Sequence, residues 1–122
     1  MIKKILIVDD EEDVRLFVAD FFGERDFNVE TAGSGEDALE KIEKSVPDLV
    51  LLDIMMPGID GLECLEKIKK KYPNVTVIMI TALKDETRME KAKRLGALDY
   101  IVKPFSLSYL ETTVDKLIKS FP

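Results

Sequence analysis

Leu49-Val50-Leu51-Leu52-Asp53-Ile54-Met55-Met56-Pro57-Gly58 passes from an unbroken apolar run into an acid and then into a turn. Apolar residues without polar alternation mark a strand covered on both faces, the habit of a parallel sheet with helices on either side. The acid comes where such a strand ends. Outward from this stretch the same grammar repeats. Ile5-Leu6-Ile7-Val8 is a second buried strand and runs into Asp9-Asp10. Val75 to Ile80 runs into Thr81, and Tyr100-Ile101-Val102 into Lys103. Asn28 to Ala32 is more polar and reads as an edge strand whose end, Ala32-Gly33, offers no chemistry.

Helical periods fill the intervals. Val14, Phe17, Val18 and Phe21 follow i, i+3, i+4, i+7 spacing and predict an inward face. Ser34 with Asp37 resembles a capping box ahead of Ala38, Leu39 and Ile42. Leu62, Leu65, Ile68 and Tyr72 line a third helix that stops before Pro73, and Met89, Ala92 and Leu95 a fourth that ends at Gly96. Leu107, Leu110, Val114, Leu117 and Phe121 line the last. Five β-α units in succession predict an α/β fold: a single, doubly wound, five-stranded parallel sheet with right-handed crossovers. With 122 residues and no linker, residues 1–122 are expected to form one domain.

Composition narrows the chemistry. Hydrophobic residues are 46% and charged residues 34%, a globular profile, and no apolar run is long enough to span a bilayer. The N-terminus lacks the long apolar stretch of a signal peptide, so a cytoplasmic location is expected. Cys64 is the single cysteine, which excludes an internal disulfide and suits a small buried hydrophobe. Histidine is absent, which removes Ser-His-Asp and Cys-His catalysis, imidazole zinc sites and a phosphohistidine donor role. The net charge of −6 argues against direct contact with nucleic acid or an anionic membrane. Lys69-Lys70-Lys71 is short and reads as a solvated helix end.

Ligands of open parallel sheets bind beyond the carboxyl ends of the strands. Those ends carry Asp9 and Asp10, Asp53, Thr81 and Lys103. Converging carboxylates repel one another unless a cation intervenes, and an all-oxygen set without His or Cys selects Mg²⁺, Mn²⁺ or Ca²⁺ over zinc. The small number of ligands favours Mg²⁺. A lysine and a hydroxyl beside that cation complement a transferring phosphoryl group, and a carboxylate can be its nucleophile. Asp53 is the best candidate, since its strand is central and its turn leaves room above it. Each residue alone has a bland reading: Asp53 as a turn cap, Thr81 as a strand hydroxyl, Lys103 as a surface lysine. Glu11, Glu12 and Asp13 read as acids favouring a helix N-terminus. Asp9, Asp53, Thr81 and Lys103 at the same end of four strands argue against coincidence.

Ile7-Val8-Asp9-Asp10, Leu51 to Gly61, Ile80-Thr81-Ala82 and Gly96 to Phe105, taken in order, resemble the receiver domain of two-component response regulators over essentially the whole chain. The resemblance implies a flavodoxin-like (βα)5 fold with strand order 2-1-3-4-5. It implies that Asp53 accepts a phosphoryl group and that Asp10, Asp53 and the Met55 carbonyl ligate Mg²⁺, with Asp9 acting directly or through a metal-bound water. Lys103 and Ala82 would bind the phosphoryl group, Thr81 would hydrogen-bond one of its oxygens, and Tyr100 would be the switch aromatic coupled to Thr81. Lys103-Pro104 would be cis, with Pro104 compatible on general grounds. Met55 and Leu83 would tune dephosphorylation; both are apolar, which predicts slow self-dephosphorylation.

The implied donor is a sensor histidine kinase or phosphotransfer protein. The implied target is a downstream protein or output domain that reads the face of the fourth helix, fifth strand and last helix, and the resemblance allows a homodimer on phosphorylation. Such a chain catalyses its own phosphorylation and dephosphorylation but is a signalling protein rather than a turnover enzyme. The alternative is a receiver-like binding module that is never phosphorylated. A phosphatase or mutase working through phospho-aspartate would want a second acid where Met55 stands, and no Gly-rich loop follows the first strand to mark a nucleotide site.

Overall fold

The computed structural model describes residues 4–82, 84–106, 108–112 and 116. Strands β1 (Lys4–Val8), β2 (Asn28–Ala32), β3 (Leu49–Leu52), β4 (Thr76–Thr81) and β5 (Asp99–Val102) alternate with helices α1 (Glu12–Gly23), α2 (Gly35–Lys44), α3 (Gly61–Lys71) and α4 (Glu86–Arg94). All four strand pairings are parallel, in the order β2-β1-β3-β4-β5. Residues 108–112 are helical and contribute the buried Leu110. The other apolar positions of the predicted last helix, Leu107, Val114, Leu117 and Phe121, lie outside the described residues.

Alternation along the strands divides the core in two. Leu6, Val8, Val50, Leu52, Val77 and Met79 meet α2, α3 and α4 through Ala38, Ile42, Leu65, Ile68 and Ala92. Ile5, Ile7, Leu49, Leu51, Ile78 and Ile80 meet α1 and Leu110 on the opposite face. β3 is buried at all four positions, whereas β2 is buried only at Ala32, the signature of a central and an edge strand. Cys64 is fully buried in the first cluster, and burial pushes its thiol pKa up to about 12, so it is an inert packing residue.

Helix ends follow the local chemistry. The Ser34 hydroxyl accepts from Asp37 N–H at 3.1 Å and the Asp60 carboxylate from Glu63 N–H at 2.9 Å. Gly96, at φ +104°, closes α4 in a conformation that side chains disfavour. One expected face is shifted. Phe17 is 45% exposed while Phe22 is buried with Val18 and Phe21. Val18, Phe21 and Phe22 form their own i, i+3, i+4 stripe, and Phe17 stands about 100° round the helix from Val18. There it lies against Phe105, ring centroids 6.3 Å apart.

The loop after β3 is clasped by α2. The Glu36 carboxylate accepts from Ile59 N–H at 2.8 Å, next to Gly58 at φ +81°. That hydrogen bond holds the Glu36 carboxyl below its ordinary pKa. A depressed carboxylate contributes stability above its unfolded-state pKa and loses it as pH falls through the folded value. Glu36→Gln is therefore expected to lower the melting temperature at neutral pH, with the gap from wild type closing in acid. A gap that stays constant down the acid range would contradict this account of the clasp.

Candidate functional site

The backbone ladders run on just past the strands. Asp9 N–H donates to Ala32 O (3.1 Å), Asp53 N–H to Val8 O (3.0 Å) and Lys103 N–H to Thr81 O (2.8 Å). These bonds fix chemistry-bearing residues at one edge of the sheet. Asp9 and Asp53 are 2% and 4% exposed, and Thr81 is fully buried. The Lys103 ammonium reaches in from β5 and donates to Asp9 Oδ2 at 2.6 Å and to Asp53 Oδ2 at 3.1 Å. The Glu11 carboxylate stands 3.6 Å from the same ammonium. Asp9 Oδ1 accepts from Glu11 N–H at 2.9 Å, and Asp53 Oδ1 from Met55 N–H at 3.2 Å.

Burial raises the Asp9 pKa, and the nearby Asp53 charge adds to it, against the lowering effect of Lys103 and the Glu11 amide. Burial opposes the Lys103 charge, but the Asp9 hydrogen bond and Asp53 outweigh it and hold the ammonium pKa above its ordinary value. One ammonium therefore faces two buried carboxylates, with Asp10 and Glu11 exposed beside them. One carboxylate oxygen from each of Asp9, Asp10, Glu11 and Asp53 falls within a 4.8 Å cluster. Hard oxygen donors carrying excess negative charge, partly open to water, fit Mg²⁺. The open side meets a cavity of about 620 Å³ lined by Asp10, Asp53, Met55, Ala82 and Arg88, among others.

Asp9, Asp10, Asp53 and Lys103 are thus brought together, with Thr81 ending the adjacent strand and Ala82 on the cavity wall. Met55 projects outward, 60% exposed. Tyr100 packs half-buried against the α2–α3–α4 core, and burial raises its phenol pKa, followed in effect by the Asp85 charge. The Lys103–Pro104 bond is cis. Leu83 lies outside the described residues.

Three residues at the site carry more than their sequence reading. Glu11, read as a helix-terminal acid, belongs to the acidic cluster; its place directly after Asp9-Asp10 was the available signal. Arg88 reaches the cavity from α4, a helix with no strand-end signature. Gly61 comes so close that a Cβ there would sit 2.1 Å from the Asp53 carbonyl oxygen, an approach no local pattern announces.

The family model of the response regulator receiver domain matches residues 5–115. The chain is 37% identical, over 97% of its length, to sporulation initiation phosphotransferase F of Bacillus subtilis (strain 168), and covers 95% of that protein. It is 40% identical, over 96% of its length, to the probable transcriptional regulator ycf27 of Guillardia theta, but spans only 46% of it. Among solved structures, a response regulator receiver domain protein (CheY-like) from Methanospirillum hungatei JF-1 superposes with a TM-score of 0.93 at 30% identity, covering 98% of this chain and 96% of that one. No helix among the described residues is long and apolar enough to cross a membrane.

Proposed function

The chain belongs to the response regulator receiver domain family of two-component systems, and from that premise we propose that it is a switch phosphorylated on Asp53. The observation that carries the reading is the pairing of the Asp53 carboxylate with the Lys103 ammonium at 3.1 Å beside Asp9 and Asp10. Asp10, Asp53 and the Met55 carbonyl would hold Mg²⁺, with Asp9 close by. The ion would supply positive charge to oppose that of the phosphoryl oxygens.

The chain's own residues do the rest. An Asp53 carboxylate oxygen attacks the donor phosphorus. The phosphorus–nitrogen bond to the imidazole of a sensor kinase or phosphotransfer protein breaks, and the imidazole leaves with the electron pair. Lys103 and Ala82 bind the transferred group, and the Thr81 hydroxyl donates to one of its oxygens. The phosphoryl group carries about −1.5 to −2 charges, in place of the single negative charge of the carboxylate. Thr81 is drawn toward them, Tyr100 follows, and the face of α4, β5 and the last helix changes population between two arrangements. α4 buries only Ala92, so shifting it sacrifices little apolar contact. That face is the surface we assign to the output partner. A Met55 side chain that cannot orient water favours slow loss of the phosphoryl group.

The test is intact mass after incubation with acetyl phosphate and Mg²⁺, beside Asp53→Asn and an EDTA control. One phosphoryl gain, labile to hydroxylamine, absent from both controls and slow to disappear, is the expected result. No gain in a folded protein that binds Mg²⁺ would instead support a phosphorylation-independent binding module.

A further inference from the structure

We propose that Arg88 is a phosphoryl-binding residue that exchanges partners, held by Asp85 before phosphorylation and passing to the oxygens of phosphorylated Asp53 after it. The inference rests on Asp53 being the acceptor.

Arg88 Nη1 lies 2.6 Å from Asp85 Oδ2, yet the two side chains are 48% and 30% exposed. An exposed i, i+3 ion pair is worth little, so the guanidinium can change partner at small cost. The acidic pocket offers a competing attraction, since Arg88 lines the same cavity as Asp53, Asp10 and Ala82. The Lys103 ammonium is already shared between Asp9 and Asp53. An additional phosphoryl charge therefore has a use for a second cation. A planar guanidinium suits phosphoryl oxygens through two parallel hydrogen bonds.

The exchange has a direct consequence for α4. Asp85 is the N-cap of that helix, its Oδ1 accepting from Thr87 N–H at 2.9 Å and Arg88 N–H at 3.2 Å. One carboxylate thus both caps the helix and holds the arginine. Departure of Arg88 unties half of that arrangement at the end of α4 nearest the pocket. Tyr100 stands where it is sensitive to the result, since its phenol feels the charges of Asp85, Arg88 and Asp53 together. The Arg88 exchange would link Asp53 to α4 by a route separate from the Thr81 hydroxyl.

Beryllofluoride, a phosphoryl mimic, provides the probe, titrated calorimetrically into protein saturated with Mg²⁺. Arg88→Ala is expected to weaken its binding about tenfold, as for loss of a charge-assisted hydrogen bond. Arg88→Lys should recover part of the loss. Asp85→Asn keeps a capping side chain but releases the arginine, so it should tighten binding. Mg²⁺ affinity should not fall in Arg88→Ala, which separates a phosphoryl contact from collapse of the pocket. Amide exchange at Thr87 and Arg88 should quicken on beryllofluoride binding in wild type and stay unchanged in Arg88→Ala. Arg88→Ala and Asp85→Asn both within twofold of wild type would overturn the inference. Wild type that takes up neither beryllofluoride nor a phosphoryl group would instead remove the premise of Asp53 phosphorylation, and the inference with it.

Discussion

Lys103→Met is expected to destabilise the protein by about 2 kcal/mol at neutral pH in EDTA, and to recover much of that loss on acidification or on addition of Mg²⁺. The Lys103 side chain is 11% exposed, and its partners Asp9 and Asp53 are 3% and 5% exposed. Removing one member of a fully buried ion pair costs about 3–5 kcal/mol, because the other charge is left without compensation. The smaller figure applies because Asp10 and Glu11 open one side of the cluster to water. Without the ammonium, the Asp9 carboxyl, whose pKa burial and the Asp53 charge already raise, loses the lowering effect of Lys103 and retains its proton to higher pH than in the unfolded chain. The native state then binds more protons than the unfolded state, so stability falls as pH rises through that interval. Urea titrations of wild type and variant at neutral and acid pH, in EDTA and in Mg²⁺, measure the effect. A stability gap indifferent to both pH and metal would mean that Lys103 acts through packing alone. Phosphoryl uptake by the variant should be lost even in Mg²⁺, where the fold is restored.

Gly61→Ala is expected to cost about 1–2 kcal/mol and to impair phosphoryl uptake through the backbone of Asp53. A Cβ at this position would lie 2.1 Å from the Asp53 carbonyl oxygen and 2.6 Å from Ile54 Cα. Both are backbone atoms, and Gly61 N–H is bonded to Ile54 O at 2.8 Å, so the loop cannot relax without losing that bond. Overpacking of this kind costs about 1–3 kcal/mol. The opposing gain from replacing Gly by Ala in a helix is at most about 1 kcal/mol, and less at a helix start. Gly23→Ala is the control, since a Cβ there meets nothing within 4 Å. It should leave stability unchanged or slightly increased. If Gly61→Ala matched the Gly23 variant in melting temperature, close backbone approach would not be what Gly61 provides.

Much of this architecture was legible from local pattern. Buried parallel strands must be apolar on both faces, so Leu49 to Leu52 and Ile5 to Val8 announced themselves without alignment to anything else. The strand ends then displayed Asp9, Asp10, Asp53, Thr81 and Lys103, because a polar residue directly after such a run falls at the sheet's edge. Less legible was the facing of α1: two overlapping stripes share Val18 and Phe21, and only packing on the sheet selects Phe22 over Phe17.

By itself the sequence determined the succession of strands and helices, the parallel sheet they imply, and the residue types available at its carboxyl edge. These are set by period, burial and turn chemistry within a few neighbouring residues. Tertiary structure decided that Lys103 bridges Asp9 and Asp53, that Glu11 joins their cluster, that Arg88 reaches the same cavity, and that Gly61 must lack a side chain. The Lys103 bridge, the acidic cluster and the reach of Arg88 depend on distances between segments far apart in the chain, and the Gly61 contact on how the turn after β3 folds back on Asp53; side-chain direction and close backbone approach have no periodic trace in any one segment.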